Sequence, residues 1–310
     1  MTAPNHLVHT IPVPSRTLNS NDHKNQRSVS IMNHDPHPSM PAILVTNDDS
    51  VYSSGIRAAY RSVRDLGNIS VVAPSMQKSG VGRSVSVFEP LRFSKIKLDT
   101  FEAYAVAGTP ADSVILAIFA ILDRLPDLCV SGFNIGENIS TDTVTTSGTI
   151  GAALEAASYG IPTIAASIQV VDQGDKFDDL RHYEYDFDAG IDLVGRIAKH
   201  ALKNGFPDGV DVLNVNIPRN ASLDTGIEIT RLSRKIFKTA VEKRHDPRGR
   251  PYYWINGDLV QDDDPGTDVH ALAQHHISVT PLTLDSTVGL DQLTTREIPE
   301  TLRRAVEAFY

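Results

Sequence analysis

Four runs of oxygen-bearing residues carry the chemical potential of this chain. Asn47-Asp48-Asp49-Ser50 sets two carboxylates side by side with no basic residue in the run. Adjacent carboxylates repel at neutral pH, and a hard cation is the simplest group that holds them together. Ser79-Gly80 and Gly132-Phe133-Asn134-Ile135-Gly136-Glu137-Asn138 offer a hydroxyl and amides. Ser79 and Asn134 supply the neutral oxygens that complete such a shell, leaving positions for water and substrate. An all-oxygen shell suits Mg²⁺ or Mn²⁺ rather than zinc, which prefers Cys and His. The fourth run, Thr145-Thr146-Ser147-Gly148-Thr149, has a different use. Ser147 is a good helix N-cap, Gly148 lets a ligand approach the backbone, and free N–H groups there favour a phosphate. Neither a dinucleotide fingerprint nor a P-loop lysine accompanies it. Each run alone has an ordinary reading as a turn, a loop or a cap. Their force comes from falling at one place.

The elements that must position them alternate. Short apolar runs at Ala42–Thr46, Ile69–Ala73, Leu128–Ser131, Thr163–Ile168 and Val210–Ile217 read as buried strands. Between them, Gly55–Leu66, Asp112–Leu122, Gly148–Tyr159 and Phe187–Leu202 have helical spacing, with Gly160 at a C-terminal cap position. This pattern predicts an α/β fold: a Rossmann-like, three-layer α/β/α core with a mostly parallel sheet. Ligands of such sheets bind outside the carboxyl ends of the strands. Asp48, Ser79 and Asn134 each stand just after or at the end of an expected strand. Beyond Pro218 the character turns to β structure. Ile227–Leu232 and Ile277–Leu282 read as strands, and Tyr252–Ile255 and Asp258–Val260 as a hairpin turning at Asn256-Gly257. Thr294–Tyr310 reads as a C-terminal helix with a stripe of Ile298, Leu302, Val306 and Phe309. The hairpin shows Tyr252, Tyr253 and Trp254 in succession, so aromatic surface falls on both faces and suits subunit contacts.

Composition narrows the function classes. A formal net charge of -9 argues against a surface that wraps a nucleic acid polymer. It leaves room for a small phosphorylated ligand, because a cation inverts the local field. Cys129 is the single cysteine, so no disulfide forms within the chain and a reducing, cytoplasmic setting is expected. No apolar run is long enough to cross a membrane. Residues 1–40, rich in His, Pro, Asn and Ser, read as a disordered extension, and 41–310 as the folded domain. The part from about 219 to 310 holds the hairpin and the C-terminal elements. Asp262-Asp263-Asp264 reads as a solvated turn.

Taken together, Thr46-Asn47-Asp48-Asp49, Ser79-Gly80, Gly108-Thr109-Pro110-Ala111-Asp112, the Ser131–Asn138 run, Ser147-Gly148-Thr149, Leu213–Pro218, Asp246–Trp254 and Ser278–Leu282 resemble the SurE family of 5′/3′-nucleotidases. The resemblance covers nearly everything after residue 41. It implies a metal-dependent phosphomonoesterase acting on nucleoside monophosphates, one divalent ion per subunit, and dimers or tetramers built through the C-terminal part. Carried over by position, it makes Asp48, Asp49, Ser79 and Asn134 metal ligands and puts Asn138, Ser147, Gly148 and Thr149 around the phosphate. Asp48 and Asp49 are the candidate catalytic groups, either orienting a water or accepting its proton. An aspartyl-phosphate on Asp48 is the alternative chemistry. A non-catalytic nucleotide-binding module is the alternative function. Two positions depart from the family pattern: Ser50 stands where a glycine is usual, and so does His276.

Overall fold

The strands of the core are short, β-branched and apolar on both faces, as strands buried in a parallel sheet must be. In the computed structural model, which describes residues 40–98, 100–170, 185–234, 237–259 and 264–287, they form one nine-stranded sheet. Its elements, in chain order, are β1 (Ala42–Thr46), α1 (Ser54–Val63), β2 (Asn68–Pro74), β3 (Phe93–Lys97), β4 (Glu102–Val106), α2 (Pro110–Leu116), β5 (Leu128–Ile135), α3 (Ser140–Thr146), α4 (Gly148–Ser158), β6 (Thr163–Ile168), α5 (Asp188–Asn204), β7 (Val212–Ile217), β8 (Ile227–Ile229), α6 (Asp268–Ala273) and β11 (Ile277–Leu282). Among the described residues, β9 (Phe237–His245) and β10 (Pro251–Leu259) pair only with each other, as a separate antiparallel ribbon.

The strand order is β3-β4-β2-β1-β5-β6-β7-β11-β8. β4, β2, β1, β5, β6 and β7 run parallel, and the antiparallel pairs β3–β4 and β7–β11 flank them. Ile43 and Val45 of β1 pack with α1 and α5, whereas Leu44 packs with α2 and α4. The alternation puts a helical layer on each face, the expected three-layer core. The chain leaves β1 toward β2 on one side and returns to β5 on the other. That reversal opens a crevice at the carboxyl ends of β1 and β5, where open sheets of this type bind ligands.

Several expectations change in detail. β5 runs on to Ile135 instead of stopping at Ser131. Gly132, just past the expected Leu128–Ser131 strand, carries a bulge: the register against β6 shifts between Ser131 and Asn134, and Gly132 has φ 134°. A side chain there would meet the carbonyl oxygen of Ala166 at 2.2 Å, so only glycine fits. The helix expected to reach Leu122 is α-helical to Leu116 and closes in one turn of π-helix, Ala117–Ile121. The hairpin does not turn at Asn256-Gly257, which lie within β10 opposite Ala240 and Thr239. It turns at Asp246–Arg250, where Asp246 Oδ1 accepts from the N–H groups of Arg248 and Arg250 at 2.8 and 2.9 Å and Gly249 has φ 77°. An aspartate closing its own loop, with a glycine at positive φ, outweighs an Asn-Gly pair set inside a long apolar strand. The N-terminal extension and the expected C-terminal helix lie outside the described residues.

Candidate active site

The turn after β1 has to place two charged groups at the mouth of the crevice, and local hydrogen bonds fix its path. The side-chain amide of Asn47 donates to the Ser50 carbonyl at 3.1 Å and to Ser53 Oγ at 2.8 Å. Ser53 then caps α1 by accepting from the N–H of Ile56. Between these, Ser50 takes φ 86°, in the left-handed region. Asp48 and Asp49 are both 4% exposed.

Each carboxylate meets a different wall. Thr149 Oγ1 donates to Asp48 Oδ1 at 2.5 Å, and a Cβ added at Gly148 would stand 2.7 Å from that of Asp48. The start of α4 therefore presses directly on Asp48, and glycine is required there by contact. The N–H of Ile135, at the end of β5, donates to Asp49 Oδ2 at 2.9 Å. The Gln77 side chain reaches both Asp49 Oδ1, at 3.3 Å, and Ser79 Oγ, at 3.1 Å. Asn134 gives its amide nitrogen to the carbonyl of Gly136, which leaves its Oδ1 as the atom suited to a cation. Ser147 Oγ accepts from the N–H of Ile150 at the start of α4. The N–H groups just before it, on Gly148 and Thr149, belong to the helix's first turn, where backbone donors have no partner within the helix.

Contacts across β1, the loop after β2 and α4 thus gather Asp48, Asp49, Gln77, Ser79, Gly148 and Thr149, with Asn134 next to Ile135 at the end of β5. Thr149 is 0% exposed and its hydroxyl is on Asp48, so its side chain is taken up by that carboxylate. Asn138 sits one step along the sheet, against β6 and β7. Among the described residues no three His, Cys, Asp or Glu side chains cluster. Two carboxylates with a hydroxyl and an amide are the donor set of a hard cation, and these residues fit one. Gln77, Ser167, Asn214 and Asn216 were not singled out by sequence reasoning. Their amides and hydroxyl look like ordinary strand and loop polarity until the fold brings them to the crevice. Asp264, expected in a solvated turn, pairs with Arg231, while Asp262 and Asp263 lie outside the described residues.

The loop bearing Ser79 is tied to the end of α3 and to α4. Gly82 donates to the Thr146 carbonyl at 2.8 Å, and Arg83 Nε meets the buried Glu155 at 2.7 Å. Burial, with Glu155 next to it, pushes the Tyr159 phenol up to about 12, so it stays a neutral donor to that carboxylate at 3.0 Å.

Comparison with known proteins matches residues 43–239 to the family model described as "Survival protein SurE". The chain belongs to the SurE family. Among similar SurE proteins, the 5′-nucleotidase SurE of Methanosarcina mazei is 64% identical over 254 residues, 81% of this chain and 95% of that protein. The 5′-nucleotidase SurE of Methanothrix thermoacetophila is 65% identical, covering 81% of this chain and 96% of that one. The crystal structure of the SurE protein from Aquifex aeolicus is 36% identical, covers 85% of this chain and all of that one, and superposes with a TM-score of 0.68. SurE nucleotidases are metal-dependent as a family. The glycine usual after the paired aspartates of SurE has a physical reason in this chain: the position needs positive φ, which Ser50 adopts at a cost. At the other departure, His276 packs beside Gly226 and pairs with Glu228, away from the crevice residues.

Proposed function

We propose that this chain hydrolyses nucleoside 5′-monophosphates, and 3′-monophosphates, to nucleoside and phosphate with one bound Mg²⁺ or Mn²⁺. The carrying observation is the pair Asp48 and Asp49, both buried, wedged between the start of α4 and the end of β5. The naming of relatives above 60% identical as 5′-nucleotidases supports the substrate. Asp48, Asp49, Ser79 and Asn134 would hold the ion. When bound, the ion neutralises developing charge on phosphate and makes a water more acidic.

The chain's own groups do the rest. Asp48 or Asp49 orients the attacking water or takes its proton. The N–H groups of Gly148 and Thr149 bind the equatorial phosphate oxygens where negative charge grows. Ser147 keeps the helix start in shape, and Asn138 adds an amide from the loop after β5. The reading as a non-catalytic binding module has no feature of its own here, because Ser50 takes the backbone path that a glycine would.

Phosphate release from a nucleotide panel tests the proposal. Activity should vanish with chelator and return with Mn²⁺ or Mg²⁺, and thoroughly metal-free enzyme at full activity would refute it. Asp48→Asn and Asp49→Asn should each lower kcat/KM by roughly two orders of magnitude or more, the scale of removing a main electrostatic group. Both variants turning over as the parent does would refute the ligand assignment. The assembly is a homodimer or homotetramer built on the β9–β10 ribbon. The cytoplasm is the expected setting, in keeping with the one cysteine, whose thiol is buried and pushed up by that burial.

A further inference from the structure

β7 carries two asparagines, Asn214 and Asn216, on one face of a strand whose other buried residues are Val212, Val215 and Ile217. Both are 0% exposed. The backbone of β7 is already paired with β6 and β11, so these amides add nothing to the strand ladder. A buried amide costs free energy unless it is bonded, and a leucine would fill the same volume without that cost. Asn214 Oδ1 makes no hydrogen bond among the described residues, which makes the position dearer still.

Their bonds converge on a single residue. Asn214 Nδ2 donates to the Asn138 carbonyl at 2.8 Å, and Asn216 Nδ2 donates to the same oxygen at 3.2 Å. The Asn138 N–H donates back to Asn216 Oδ1 at 2.8 Å. From β6, Ser167 Oγ accepts one amide hydrogen of the Asn138 side chain at 3.0 Å. Asn138 lies in the loop after β5, where no strand partner satisfies its backbone. Its backbone donor, its backbone acceptor and one of its two amide hydrogens are therefore all assigned. The second amide hydrogen is left for an anionic oxygen.

We propose that Asn214 and Asn216, with Ser167, are positioning residues that act through Asn138, fixing its amide for the phosphate. The inference rests on the nucleotidase reading above. It extends the working site two strands beyond β5, to residues that never touch substrate. The loop after β5 is then held by bonds from strands that a local sequence window does not contain.

Kinetics with thermal melting tests it. Asn214→Leu, Asn216→Leu and Ser167→Ala should lower kcat roughly ten- to a hundredfold, the usual effect of losing an orienting partner, with the Mn²⁺ concentration for half-activation unchanged. Combined with Asn138→Ala, each should add little further loss, because residues acting as a unit are non-additive. A purely structural role predicts the opposite: lower melting temperature, additive losses and weaker Mn²⁺ activation together. Should the leucine variants fail to fold, Ser167→Ala and Asn216→Ser, both small polar or near-neutral changes, carry the same test. An active parent whose variants stay within about threefold, or whose losses add to that of Asn138→Ala, overturns the inference alone. A parent that releases no phosphate from any nucleotide with any metal overturns the nucleotidase reading and this inference with it.

Discussion

Single atoms decide two features of the crevice. Ser50 holds φ 86° with only two long contacts to its hydroxyl, at 3.3 Å each, from Tyr52 N–H and to the Ser75 carbonyl. Left-handed backbone costs a non-glycine residue about 1–2 kcal/mol, and glycine gives part of this back through a more flexible unfolded chain. Ser50→Gly should therefore stabilise the fold by about 0.5–1 kcal/mol and leave kcat/KM near the parent value. A lower melting temperature in calorimetry would count against strain at this position. Thr149 is the second case, since its hydroxyl is the group that fixes Asp48. Thr149→Val keeps the shape and loses the donor, so kcat/KM should fall roughly tenfold or more, whereas Thr149→Ser should recover most of it. Equal activity in the valine and serine variants would detach Thr149 from the carboxylate.

At the scale of elements, the crevice is held by ties between segments that are far apart in sequence. The loop carrying Ser79 is anchored on α4 by Arg83, whose partner Glu155 has a side chain 7% exposed. Arg83 itself is 39% exposed at its side chain, which screens the pair on one side. Arg83→Met leaves a buried carboxylate with only the Tyr159 hydroxyl, at a cost of about 1–3 kcal/mol. We expect a lower melting temperature and a higher Mn²⁺ requirement, because the Ser79 loop keeps only its Gly82 tie of the two described. Unchanged Mn²⁺ activation in a folded variant would show that the loop holds its place without Arg83. The bulge in β5 works the same way. It is an irregularity in one strand just before Ile135, whose N–H meets Asp49.

Seen as a whole molecule, the chain carries a ribbon that belongs to no part of its main sheet. β9 and β10 leave Tyr253, Trp254, Ile255 and Val241 between 53% and 81% exposed. Aromatic and aliphatic surface on both faces of a two-stranded ribbon is unstable in water without a covering surface. We expect sedimentation at micromolar concentration to show a dimer or tetramer. Replacing Tyr253 and Trp254 together by serine should shift it to smaller species that keep the metal requirement. A parent chain that sediments as an active monomer would refute assembly through the ribbon. Among the described residues no helix is long and apolar enough to cross a membrane.

The sequence by itself determined the layers and the chemistry. β1, β6 and β11 stand at the residues their apolar runs marked, and α4 starts at its Ser147 cap, because period and capping are local properties. The paired aspartates and the Ser147 cap were legible for the same reason: residue type and short spacing define them. Tertiary structure alone decided what surrounds them. It put the Thr149 hydroxyl on Asp48, the Ile135 N–H on Asp49, and two asparagines of β7 on the backbone of Asn138. It also moved the hairpin turn from Asn256-Gly257 to Asp246–Arg250. Each of these depends on register and strand order, which follow from packing over the whole sheet, and no window of neighbouring residues contains that information.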